Sequence, residues 1–180
     1  MEPVFYEFYP KNSRRIGVLQ LYGNEDLFPL SGNAVKDWDI PTINLEDGEY
    51  AHYFFGPGGN PVVSEELKEL LEQYVEDFSI INFLPINIVS NEYGDKIYYI
   101  VHFNRNMDVI DEASTVYVSS TGSIIKVSLD YNKVKNQDII NTSRLKNDLI
   151  ISSRIKKEMV KKKLNSGIEF LPIYCGNYEG

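Results

Sequence analysis

The chain has 180 residues, 43% of them hydrophobic and 24% charged, with a formal charge of −8 and a pI of about 4.8. That is enough for one packed domain and too apolar for extended disorder. An acidic chain lacks the basic face that phosphate needs, and no apolar run approaches the ~20 residues of a membrane span, so neither nucleic acid nor membrane is an expected partner.

The segment Val4–Tyr9 is β-branched and aromatic and stops at Pro10, which predicts a strand. Residues 16–22 are a second candidate. Residues 23–50 are rich in Gly, Asn, Asp and Pro and read as loop. Tyr50 to Phe55 read as a short strand, broken by Gly56-Pro57-Gly58-Gly59-Asn60-Pro61. Ser64 is then a good N-cap, because its hydroxyl can accept an otherwise unpaired first-turn N–H. Leu67, Leu70, Leu71 and Tyr74 follow at helical spacing, so a helix is predicted from about Ser64 to Asp77.

Asn82 to Val89 and Lys96 to Phe103 read as strands, the second nearly all apolar and therefore central. Residues 115–119 and 123–129 read as two strands joined at Thr121-Gly122, and residues 136–144 as irregular. Leu149-Ile150-Ile151 lead into a second helix that ends at Ser166-Gly167, where glycine tolerates the left-handed turn. Ile168 to Ile173 form the last strand, followed by a frayed tail from Gly176 to Gly180.

The most specific feature is internal. Val63-Ser64-Glu65-Glu66-Leu67 aligns with Ile151-Ser152-Ser153-Arg154-Ile155, and each helix is followed by Phe-Leu-Pro-Ile, at Phe83–Ile86 and at Phe170–Ile173. Ser to Phe spans 19 residues in the first copy and 18 in the second. The expectation is an α+β fold: a mostly antiparallel sheet, open to mixed pairing, packed by two related helices. Strand–helix–strand pseudo-repeat units are placed at about 62–89 and 149–174. The first helix is acidic and the second basic, and this polarity holds at large. Residues 1–110 carry 7 Lys/Arg against 18 Asp/Glu, a balance of −11, while residues 111–180 carry 11 against 8, a balance of +3. An acidic front half can steer a basic partner; it can also serve solubility alone.

The Ser-headed helix is followed by Tyr98-Tyr99-Ile100-Val101-His102-Phe103 and then by Asp108-Val109-Ile110-Asp111-Glu112-Ala113-Ser114. Lys36-Asp37-Trp38 precedes it, and Ser166-Gly167-Ile168-Glu169-Phe170 closes the pattern. In this order the chain resembles family eleven of the bacterial polymorphic-toxin immunity proteins, over nearly its whole length. The family positions fall on Trp38, His102, Asp111, Ser114, Ser152 and Gly167. The resemblance implies a single immunity-type domain over 1–180, a cognate protein toxin as partner, and no catalytic residues.

Chemistry elsewhere is sparse. His102 with Asp108 and Asp111 is the best enzyme or ligand-binding alternative, the imidazole serving as base or ligand. Two separated histidines and one cysteine are too few for a zinc site, so neither metal nor cofactor is expected. Cys175 has no base beside it and cannot form an internal disulfide. Met1-Glu2-Pro3 does not read as a basic leader, and with the single cysteine the expected compartment is the cytoplasm. Gly56-Pro57-Gly58-Gly59 lacks the Lys-Ser/Thr of a phosphate loop. The expected contact surface is the acidic loop bearing Asp37, Trp38, Asp39, Glu46, Asp47 and Glu49, where Trp38 either anchors a partner or plugs its own loop. A homodimer, acidic helix against basic helix, is the further alternative.

Overall fold

The structure, a computed structural model, describes residues 5–22, 28–145 and 149–176. One sheet holds β2 (Val18–Gln20), β3 (Thr42–Glu46), β6 (Ile81–Val89), β7 (Lys96–Phe103), β5 (Pro61–Ser64) and β4 (Tyr53–Phe55), side by side in that order. The other holds β10 (Ser128–Leu129), β13 (Ile168–Cys175), β1 (Phe5–Pro10), β12 (Ile150–Ser152) and β11 (Ile139–Ile140). A separate hairpin joins β8 (Val116–Tyr117) to β9 (Ile124–Lys126). The helices are α1 (Glu65–Glu72), α2 (Tyr131–Val134) and α3 (Ser153–Lys161).

The expected α+β fold with two packing helices does not form. The protein is mostly β, with 37% strand, 15% helix in three short helices, and curled, mixed sheets. Two physical reasons account for the error. The helical periodicity of α1 was extended to Asp77, whereas the helix stops at Glu72 and the next residues turn. In addition, β11 has two residues, too few to show any period. β3 lies inside the segment read as loop, and β11 inside the segment read as irregular. Val4 and residues 177–180 of the expected tail lie outside the described residues.

The two sheets repeat one another strand for strand. In the first, β7 is flanked by β5 and β6, both antiparallel to it. In the second, β1 is flanked by β12 and β13 in the same way. Outside β6, β3 adds in parallel; outside β13, β10 adds in parallel. Outside β5 lies antiparallel β4, and outside β12 lies antiparallel β11. The registers agree as well: Ser64 opposes Tyr98 where Ser152 opposes Phe5, and Pro85 opposes Tyr99 where Pro172 opposes Tyr6. The central strand of the second unit is therefore supplied from the opposite end of the chain.

Alternation along these strands distributes side chains between three cores. Val63, Tyr53, Ile81 and Val101 of the first unit, and their equivalents Ile151, Ile139, Ile168 and Phe8, meet in the central core. Leu67 and Leu71 of α1 and Ile155 and Met159 of α3 complete it. The opposite faces bury Val62, Phe54 and Ile86 in one outer core and Ile150, Ile140 and Ile173 in another. Both sheets are thus covered on both sides. β2 comes back against β4, so the first sheet curls toward a barrel.

Gly167 holds the units together at close quarters. It has φ +84, and a Cβ there would stand 2.2 Å from the Tyr53 carbonyl oxygen. Both its backbone conformation and its contact with β4 therefore require glycine.

Candidate functional site

Each unit ends in the same construction, a serine that caps a helix and meets one polar side chain from the residue just before the outer strand. In the first, the Leu67 N–H donates to Ser64 Oγ at 3.3 Å, and Ser64 Oγ lies 2.8 Å from His52 Nδ1. The Ser64 N–H donates to the His52 carbonyl at 2.9 Å. In the second, the Ile155 N–H donates to Ser152 Oγ at 3.4 Å, Ser152 Oγ donates to the Asp138 carboxylate, and the Ser152 N–H donates to the Asp138 carbonyl at 2.8 Å. His52 and Asp138 are structural equivalents.

Charge is exchanged between the two caps. On α1 the second residue is Glu66, whose carboxylate lies 3.8 Å from His52 Nδ1. On α3 the second residue is Arg154, whose guanidinium forks onto both oxygens of Asp138 and lies 5.0 Å from the Tyr74 ring centre. A base from the strand and an acid from the helix at one cap become an acid and a base at the other.

Beside each cap is an open cleft. The first, of about 490 Å³, is lined by Tyr50, His52, Ser64, Glu65, Glu66 and Lys96, with the half-exposed Ile97 at its edge. Tyr50 and Tyr98 stack at 5.6 Å, and Lys96 Nζ sits 4.5 Å from the Tyr50 ring centre. Burial holds the His52 imidazole below its ordinary value; Glu66 opposes that shift and Lys96 adds to it. Glu66 titrates below the usual carboxylate range, held there first by its own backbone N–H and then by the Ser64 hydroxyl. At neutral pH the cleft therefore pairs neutral His52 with ionised Glu66. The second cleft, of about 500 Å³, is lined by Phe5, Glu76, Lys135, Asp138, Ser152 and Arg154 among others.

Ser64, His52 and Glu66 are the residue types of a hydrolytic triad, but the geometry is wrong for one. Serine and carboxylate both approach Nδ1, so no proton can be relayed across the ring. Ser64 is 5% exposed and already serves as the helix cap.

The acidic loop divides into exposed and anchored residues. Asp37, Asp39, Asp47 and Glu49 are exposed and Glu46 is partly covered, with Tyr22 donating to its carboxylate. Trp38 is half-buried against the first outer core, and its Nε1–H donates to the Pro85 carbonyl at 2.8 Å. Asp37 and Asp39 thus lie on the outer side of the first sheet, whereas α1 lies on the inner side.

His102 is 1% exposed on β7, with Nε2 bonded to the Asn33 carbonyl at 2.7 Å. Asp108 pairs instead with Lys133 at 2.9 Å. Asp111 belongs to a turn: its carboxylate accepts from the Ala113 N–H, and its carbonyl accepts from Ser114 and Thr115. Gly176 lies so close that a Cβ there would meet Asp111 Oδ2 and Ser114 Oγ. Neither cap cleft contains His102, Asp108 or Asp111. Cys175 is buried, which pushes its thiol up to about 11. Among the described residues no group of three or more His, Cys, Asp or Glu is placed to hold a metal ion, and no helix is long and apolar enough to cross a membrane.

The cap partners His52 and Asp138 escaped the sequence reading. A signal existed, since they precede their serines by 12 and 14 residues, but their side chains share no chemistry.

A model of the immunity protein family (Imm11) matches residues 41–174. No curated protein matches the chain.

Proposed function

The chain belongs to the Imm11 immunity protein family, and from that premise we propose that it binds one cognate bacterial toxin and neutralises it by occlusion, without catalysis. Family membership points to toxin immunity and to a toxin as partner. The finer reading rests on one observation: the negative charge is gathered on the first half of the chain, where Asp37, Asp39, Asp47 and Glu49 are exposed on a loop pinned by Trp38. Pinning reduces the ordering cost of association, and a single-sign surface raises the on-rate for a basic partner. The contact surface is Asp37, Trp38, Asp39, Glu46, Asp47 and Glu49, and the site of action is the cytoplasm, where an occluded toxin is held harmless.

The test is co-expression of the toxin encoded beside this chain with the wild type or a quadruple charge reversal at Asp37, Asp39, Glu46 and Asp47. Loss of protection with unchanged thermal stability supports the loop as the contact surface. Full protection by that variant removes the loop from the proposal.

A further inference from the structure

We propose that the cleft beside the first helix cap is a receptor for an arginine side chain of the partner protein. The inference rests on the acidic half being the partner-facing side.

Two of the chain's five arginines show how it seats a guanidinium. Arg154 is clasped by the Asp138 carboxylate and lies over the Tyr74 ring. Arg144 is bonded to the Glu112 carboxylate and lies 5.6 Å from the centre of the Tyr117 ring. Both seats combine one carboxylate with one tyrosine face, which suits a planar guanidinium that forks onto oxygens and stacks on a ring.

The first cap cleft supplies these ingredients with no arginine of its own. Glu65 and Glu66 line it together with the stacked Tyr50–Tyr98 pair. Glu66 occupies the position that Arg154 takes in the second unit. The second cap is therefore self-filled: its helix brings the cation and its strand the carboxylate. In the first, the helix brings two carboxylates: Glu65 already meets Lys68 at 3.4 Å and the Tyr99 hydroxyl, while Glu66 faces His52 at 3.8 Å and the charge of Lys96, with no guanidinium of the chain's own in the cleft. Lys96 marks the place, with its ammonium over the Tyr50 ring on a long, exposed side chain that an incoming guanidinium can displace. Asp95, which acts electrostatically on Tyr50, adds negative charge nearby. An arginine that fills a pocket on its partner is the kind of residue that dominates binding.

The chain has two histidines, one in this cleft and one buried elsewhere, so its imidazole NMR spectrum reports on the site. The full chain is titrated at neutral pH with acetylated hexa-arginine amide, then with hexa-lysine amide. The result expected is a saturable shift of the His52 resonances with His102 unmoved, abolished by Glu65→Gln with Glu66→Gln, and about fivefold weaker for the lysine peptide. Lys96→Ala should tighten the arginine peptide, because it removes the resident competitor. A stationary His52 signal, an equal response to both peptides, or an undiminished response in the double variant overturns the proposal. These readings involve no toxin, so they fail or succeed separately from the protection assay on the acidic loop.

Discussion

The two units share a fold and differ in sign. At α1 and α3 the buried positions are held in common, Leu67 with Ile155 and Leu71 with Met159, all fully buried. The cap serines are held in common as well. So is a lysine over a tyrosine, Lys68 at 4.8 Å from the Tyr99 ring centre and Lys156 at 3.6 Å from that of Tyr6. What differs is the charge around each cap: Glu66 against Arg154 and Glu69 against Lys157 on the exposed helix faces, and His52 against Asp138 beneath the cap serines. Packing constrains a buried position through volume and shape, so duplicated cores stay alike. A surface charge away from such features costs little to change, so exposed positions are free to acquire separate roles.

The shared core is where the two units depend on each other most. Leu71→Ala and Met159→Ala should each destabilise by about 2–5 kcal/mol in urea unfolding, since each removes packing from the central core that both units build. A loss confined to one of them would show that the units do not depend on one core. Next in size is Gly167→Ala, which should cost about 2–3 kcal/mol by adding a Cβ at positive φ against the Tyr53 carbonyl. The equivalent position in the first unit is Ile80, which packs against the central core, so alanine there acts through lost packing and not through backbone strain. Thermal melts of the two variants measure both losses.

The caps sharpen the comparison on a smaller scale. Ser64→Ala and Ser152→Ala should each lower stability by about 1 kcal/mol, the usual worth of an N-cap oxygen. Similar losses at both would confirm that the hydroxyls do the same work beneath opposite charges.

The smallest effect concerns pH. The folded state holds His52 below its ordinary value of 6.5, mainly by burial, so the unfolded chain binds that proton more readily. The stabilisation is present above pH 6.5 and is lost as pH falls through the lowered folded value. Glu66, also held down, adds a loss of the same sign below its ordinary 4.5. His52→Gln should flatten the upper part of this profile while leaving the lower part, as measured by urea midpoints across the pH range.

Much of the molecule was legible because neighbouring residues encode it. Ser64 and Ser152 declare helix starts, since a hydroxyl there answers unpaired N–H groups in the next turn. The nearly continuous apolar run from Ile97 to Phe103 marks a strand covered on both faces, and β7 is paired on both sides. The fold class departs from the sequence reading because β3 lies in a Gly-, Asn- and Pro-rich stretch, β11 is too short to show a period, and helical spacing continues past the true end of α1. Within the candidate contact loop, charge was visible from composition, but the anchoring of Trp38 on Pro85 joins residues 47 positions apart.

The capped segments, the repeated Phe-Leu-Pro-Ile strands and the opposed charges of the two halves are written in residues close along the chain. Only tertiary structure decided that Phe5–Pro10 completes the second sheet as Lys96–Phe103 completes the first, and that His52 and Asp138 are counterparts. Backbone hydrogen bonds between strands carry no memory of side-chain identity or of distance along the chain. A strand from the far end can therefore take the vacant place wherever its inward residues fit the core.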